Sequence, residues 1–301
     1  MGPLAIGTDA GGSLRIPAAM CGLYTIKPTG GRVPSYPPTP YGSFAASGPL
    51  TWSVEDAALL LTVLSGDDWR DWSALPTTST DYVHSLDQPL RKLRIGWSRD
   101  LGFASPQQEV LDVTEKALSR FEKLGHSIEE VPAPIDDPTD VYEHLRAGMT
   151  VAAFAHLGET QFADMDPGLA AHIRESRQSA SLEKYLAADA ARNKIGVQMR
   201  QFHTEFDLLL TPALACTTFD LGKDGPDALP TSRHWSPYTF PFNLTRQPAI
   251  TLPCGSDATG MPLAVQLVGP LYSEILLLQL SRQYEAAYPW KKARANPNLA
   301  K

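Results

Sequence analysis

Four short apolar runs constrain the fold more than any other feature of this chain: Leu93 to Trp97, residues 208 to 211, Ala249 to Leu252 and Leu263 to Val268. Each is too short for a helix and is bounded by Gly, Pro or Asp, so each reads as a buried strand. Pro212 stops the second run, and Gly255, Asp257 and Gly260 join the last pair as a hairpin. The stretches between them carry helical periodicity. Ser53 is placed to cap a helix over Val54 to Leu64, with Asp56 at the box position and Gly66 as the stop. A second helix starts near Pro106, lines up Val110, Val113, Ala117, Phe121 and Leu124 on one face, and ends at Gly125. A third runs from Leu182 to Phe206 behind Ser181. Helices interleaved with buried strands predict an α/β sheet covered by helices. No internal repeat or linker divides the chain, so residues 1–301 read as one domain.

Composition narrows the function classes. Apolar residues make up 43% of the 301, enough for a core, and the net charge of −7 argues against a nucleic-acid partner. The longest apolar stretches, Ala57 to Leu64 and Ile275 to Leu278, fall short of the roughly 20 residues of a membrane span, so no membrane association is expected. Cys21, Cys216 and Cys254 have no Cys-x-x-Cys spacing and are expected to be reduced core thiols. Residues 1 to 6 carry no basic region before their apolar stretch, unlike a secretory signal, and the expected location is cytoplasmic. Prolines cluster at Pro34, Pro37, Pro38 and Pro40 and again at Pro226, Pro230, Pro237 and Pro241, marking two long irregular loops. His156-Leu-Gly-Glu159 lacks the second histidine of a helical zinc site, and neither a metal nor a cofactor is expected. The basic clusters Arg91, Lys92, Arg94 and Lys291, Lys292, Arg294 read as solvated surface.

The stretch that carries chemistry is Gly7-Thr-Asp-Ala-Gly-Gly-Ser-Leu-Arg-Ile-Pro17. Two glycines before a serine permit positive φ and gather successive amide N–H groups near the Ser13 hydroxyl. A nucleophilic hydroxyl needs such donors, aimed at the oxyanion that forms when it attacks a carbonyl; the amides of Ala10, Gly11, Gly12 and Ser13 are of the right kind. The competing reading is that Ser13 merely caps a short helix. Gly12→Ala should separate the two, an oxyanion hole losing activity with little loss of stability. Asp9 and Arg15, six residues apart, are expected to brace the turn as an ion pair. Trp235, Tyr238 and Phe240 lie in the second Pro-rich loop and are candidates for lining a substrate pocket, against simple packing under the loop.

The string Gly7 to Gly22, followed by Lys27-Pro-Thr-Gly-Gly-Arg-Val-Pro34, closely resembles the nucleophile segment of the amidase signature family. Phe206 to Pro212, Tyr238 to Gly255 and Gly260 to Gly269 extend the resemblance almost to the end of the chain. It implies a mixed central sheet with helices on both faces, and a Ser-Ser-Lys triad that hydrolyses amides and sometimes esters. Ser13 matches the nucleophile, and Ala10 to Ser13 match the oxyanion-hole backbone. The family's bridging serine, in a cis peptide within a Gly/Ser-rich stretch, and its general-base lysine both correspond to positions before Met1. The sequence therefore reads as an N-terminally truncated member of the family. Lys27 matches a structural position, and none of the histidines at 84, 126, 144, 156, 172, 203 and 234 pairs recognisably with Ser13.

The function expected is a serine hydrolase acting on small-molecule amides or esters through Ser13, with weak esterase activity. The alternatives are a catalytically inactive scaffold or binding protein and a glutaminase subunit of a transfer-RNA amidotransferase. Loss of the N-terminal part of such a sheet should uncover apolar surface, so a homo-oligomer is expected.

Overall fold

The computed structural model describes residues 2–77 and 79–290. One eight-stranded sheet runs through them, built from β1 (Leu4–Asp9), β2 (Tyr24–Lys27), β3 (Ala46–Thr51), β4 (Arg94–Trp97), β5 (Ser127–Glu130), β6 (Leu208–Pro212), β7 (Ala249–Ser256) and β8 (Pro262–Val268). The spatial order is β1-β3-β2-β7-β8-β6-β4-β5. β6, β4 and β5 are parallel neighbours and every other pairing is antiparallel, so the sheet is mixed.

The apolar runs are continuous because both faces of the sheet centre are covered. Leu208 and Leu210 enter one core with Ile250, Leu252, Val265 and Leu267, under the helices Val54–Leu64, Gln108–Lys123 and Glu274–Ala287. Leu209 points to the opposite core with Ala249, Ala264 and Val268, under Thr139–Ala153 and Leu182–Phe202. The fold is the α/β arrangement expected, a mixed sheet between helical layers.

Local signals act as read in several places. Ser53 Oγ accepts from the Asp56 amide at 3.2 Å and caps the helix Val54–Leu64. Helix Gln108–Lys123 buries Val110, Ala117 and Phe121, the last packed on Tyr284 with ring centroids 4.9 Å apart. The 249–268 hairpin forms as expected, its turn closed by Asp257 Oδ1 accepting from the amides of Thr259 and Met261.

Other expectations need correction. The helix expected over Leu182 to Phe206 ends at Phe202, where a turn folds Phe206 back onto Phe202, the rings stacking at 5.1 Å. Cys216 and Cys254 are buried free thiols, but Cys21 is exposed because it is the last residue of the helix Arg15–Cys21. Arg91 and Arg94 are surface residues paired with Asp207 and Glu129; Lys291, Lys292 and Arg294 lie outside the described residues. Among the described residues, no helix is long and apolar enough to cross a membrane.

Candidate active site

β1, the outer strand of the sheet, ends at Asp9 and delivers the chain into a tight turn ahead of the helix Arg15–Cys21. Asp9 organises that turn. Its Oδ1 accepts from the Gly12 amide at 2.7 Å and its Oδ2 from the Leu14 amide at 3.3 Å, satisfying donors that an uncapped helix start would leave open. Arg15 grips the same carboxylate with two donors, Nε and Nη2, each at 2.9 Å, and both side chains are fully buried. The spare guanidinium donors reach Thr239 O, Gln266 Oε1 and Asn243 Oδ1 at 2.6–2.8 Å. Burial would raise the Asp9 pKa, but the Arg15 charge and hydrogen bonds outweigh it and hold it at about 2. The ion pair expected from spacing is thus the centre of a network spanning most of the chain.

Gly12 adopts φ +134°, and a Cβ there would lie 2.5 Å from Thr239 Oγ1 and 2.7 Å from Ile16 Cδ1. Conformation and space both require glycine. This corrects the expectation that Gly12→Ala would spare stability. The amide of Gly12 is moreover committed to Asp9, which removes it from the four expected donors to an oxyanion. The amides of Ala10, Gly11 and Ser13 have no acceptor among the described residues.

Ser13 is exposed, and its hydroxyl forms no hydrogen bond among the described residues. It does not cap the helix: the N-cap is Leu14, without a side-chain bond, and Asp9 serves the amides instead. Ser13 opens into a cleft of about 310 Å³ that also presents Ala10, Gly11, Tyr142 and Phe240. Tyr142 stacks on Phe240 with centroids 4.8 Å apart and donates to Ala10 O at 3.3 Å, giving the cleft an aromatic wall against the turn. Glu143, Arg146 and Arg233 form the polar side, with Arg233 forked onto Glu143 at 2.5 and 2.6 Å.

Of the three loop aromatics, only Phe240 borders this cleft. Trp235 and Tyr238 are buried, the indole N–H donating to Asp224 O and the phenol to Arg99 O, so both are engaged in holding the loop down. No histidine lines the cleft. His172 comes nearest in connectivity, through Arg146 at 3.5 Å, and burial lowers its pKa. Lys27 is buried and donates to Gln247 O at 2.5 Å and Pro28 O at 3.3 Å, in keeping with a structural role. Tyr142 and the Arg146–Glu143–Arg233 cluster were not foreseen; Tyr142, Glu143 and Arg146 lie on a helix whose sequence carries no motif.

Comparisons with known proteins place the chain in a family. The family model described as Amidase matches residues 1–278, so the chain belongs to the amidase family. It is 32% identical to an acylamidase of Rhodococcus erythropolis, over 99% of this chain and 64% of that protein. It is 30% identical to a glutamyl-tRNA(Gln) amidotransferase subunit of Thiobacillus denitrificans, over 96% of this chain and 65% of that protein. A bacterial aryl acylamidase belonging to the amidase signature enzymes superposes with TM-score 0.84 at 30% identity, over 96% of this chain and 63% of that one. The chain therefore spans about 64% of the length of the curated relatives it matches.

Proposed function

We propose that this chain is an amide- and ester-directed serine hydrolase in which Ser13 is the nucleophile and the amides of Ala10, Gly11 and Ser13 receive the oxyanion. The observation that carries this reading is the unspent Ser13 hydroxyl in a cleft beside amides with no other acceptor, held by a turn whose capping is done entirely by Asp9. Ser13 Oγ bonds to the carbonyl carbon as the carbonyl electron pair moves onto oxygen. The Oγ proton passes to solvent, and the leaving group departs with its bonding pair as the carbonyl re-forms. Water then adds to the acyl-enzyme and releases the acid, restoring the serine proton.

No titratable side chain hydrogen-bonds Ser13 among the described residues, so leaving groups that depart without protonation are favoured. Serine-hydrolase sites lacking triad members keep about 10³ to 10⁴ over water from the oxyanion hole and binding. Activated short-chain esters should therefore turn over and unactivated amides much more slowly. The aromatic wall of Tyr142 and Phe240 favours an apolar or aryl group over the carboxamide of glutamine. The acylamidase relatives support the same choice.

Hydrolysis of p-nitrophenyl butyrate by the wild-type chain and Ser13→Ala tests the proposal, alongside mass-spectrometric mapping of a fluorophosphonate adduct. Ser13-dependent turnover and labelling at Ser13 are expected. Equal turnover by Ser13→Ala would assign the chain to the inactive scaffolds, and efficient glutamine hydrolysis would favour the amidotransferase reading.

A further inference from the structure

A second cleft shares no lining residue with the Ser13 cleft. It has a volume of about 800 Å³, within the roughly 300–1,000 Å³ usual for small-molecule sites. The C-terminal half of the helix Leu182–Phe202 forms one wall, and residues 244–247 and 270–272 form the other.

Three observations mark it as a built site. First, its charge opposes that of the protein: Arg192, Arg200 and Arg246 line it against Asp189 alone, in a chain of net charge −7. None of these arginines has a carboxylate within ion-pair distance among the described residues. Arg192 is instead fixed by donating to Leu244 O at 2.6 Å and Ser43 Oγ at 2.9 Å.

Second, the consecutive residues Thr245, Arg246 and Gln247 each carry a buried polar atom with no hydrogen-bond partner among the described residues: Oγ1, Nε and Oε1. Gln247 is only 3% exposed, and its amide nitrogen is already spent on His203 and Gly269 O, which fixes the carboxamide orientation. Unpartnered buried polar groups are rare in native proteins and call for a specific explanation.

Third, three non-glycine residues among those described have left-handed φ, and two of them line this cleft: Arg246 at 60° and Tyr272 at 70°. Residues held in that region persist only where their surroundings demand it, and they collect at ligand clamps.

We infer that this cleft binds a small organic oxyanion, a carboxylate or phosphate monoester, with an apolar body and a hydrogen-bond donor. Arg192, Arg200 and Arg246 hold the anionic oxygens, Val197, Leu244 and Leu271 take the apolar part, and Gln247 Oε1 accepts from the donor.

Arg246 also supplies the test. Glycine is the residue its left-handed backbone favours, so Arg246→Gly removes the guanidinium while relaxing the chain. Calorimetric titration of the full chain at pH 7 and low salt would use phenyl phosphate, inorganic phosphate, benzoate and the neutral benzamide. One-to-one binding of the three anions is expected, with phenyl phosphate tighter than inorganic phosphate. Benzamide should bind about tenfold or more weaker than benzoate, from the worth of a charged hydrogen bond. Arg246→Gly loses the bond from Nη2 to Gly30 O while relaxing the left-handed backbone, and should lose about tenfold in phenyl phosphate affinity while still melting cooperatively; Arg192→Gln should weaken binding as well. Binding of benzamide equal to that of benzoate, unaltered affinity in Arg246→Gly, or no binding by any anion would overturn the inference. The measurement needs no turnover, so failure here and failure at Ser13 are read separately.

Discussion

Thr239 Oγ1 donates to the Gly11 carbonyl at 2.6 Å and would lie 2.5 Å from any Cβ added to Gly12. The loop of residue 239 is thus seated against the turn that carries Ser13, and glycine is what allows it so close. Gly12→Ala is therefore expected to lose stability and activity together, by roughly 1–3 kcal/mol for the overpacking plus the strained φ. Chemical denaturation of the variant checks this; an unchanged midpoint would mean the loop yields freely.

Removing Arg15 should be more costly. Arg15→Met leaves the Asp9 carboxylate buried without its counter-charge, an error worth about 3–5 kcal/mol. The pH dependence has a definite sign. Asp9 is held at about 2 in the folded chain against 3.8 unfolded, so its stabilisation is complete above 3.8 and disappears as pH falls through about 2. A melting temperature in Arg15→Met close to wild type at pH 7 would contradict this.

Lys27 gives a slope of the same sign at higher pH. Burial, with the Arg15 charge adding to it, lowers its pKa from 10.5 to about 7. Below about 7 the amine is charged folded and unfolded, and the full cost of burying it is present. As pH rises from there toward 10.5 the unfolded chain holds the extra proton, so stability rises. The buried thiols of Cys216 and Cys254, raised from 9.0 to about 12, act in the other direction once pH passes 9. Melting temperature should climb between pH 7 and pH 9 in the wild type, and the climb should shrink in Lys27→Met. Equal slopes would place the titration elsewhere.

Phe240 and Tyr238 should separate binding from packing. Phe240→Ala removes a wall of the Ser13 cleft and should raise KM for aryl esters several-fold, whereas Tyr238→Ala should cost about 3–5 kcal/mol of stability through the cavity it leaves. Steady-state kinetics with parallel melting curves would show both; an unchanged KM in Phe240→Ala would move substrate off that wall.

Self-association remains a proposal, and β1 provides its test. This outermost strand leaves Leu4 and Ile6 exposed at 40% and 59%. Unpaired strand edges recruit further strands, and an inserted lysine blocks them. Light scattering at micromolar concentration should show an oligomer that Ile6→Lys shifts toward monomer; a monomeric wild type would refute it.

The Ser13 turn was legible because nearly every residue in it serves a geometric need. Asp9 and Arg15 pair at the expected spacing, and Gly12 occupies a conformation few other residues tolerate. What the sequence hid was competition. The carboxylate that braces the turn also takes the Gly12 amide, and Arg15 shares its donors with Asn243 and Gln266, 228 and 251 residues away. In the fold, the strands that read as apolar runs are those covered on both faces. β3 was missed because Gly48-Pro49 is turn chemistry by composition. In the sheet, Gly48 instead lets β2 approach, a Cβ there lying 2.4 Å from Ile26 O. β5 was missed because Ser127-Ile-Glu-Glu130 carries a single apolar residue and owes its extended form to parallel pairing with β4.

The long reach of Asn243 has a consequence for the order in which the protein becomes competent. Its amide nitrogen donates to Asp9 O, to Asp9 Oδ1 and to Phe44 O, tying the serine turn to a residue 234 positions later. During synthesis the serine emerges at least ten seconds before that tie can form, at translation rates of about 5–20 residues per second. The nascent chain carries Ser13 in a turn held by its own Asp9 and Arg15 alone, without the ties from Thr239 and Asn243. The proposed site is therefore completed late, as a collective event of tertiary assembly, and folding intermediates in which residues 239–247 are not yet docked should show no Ser13-dependent hydrolysis.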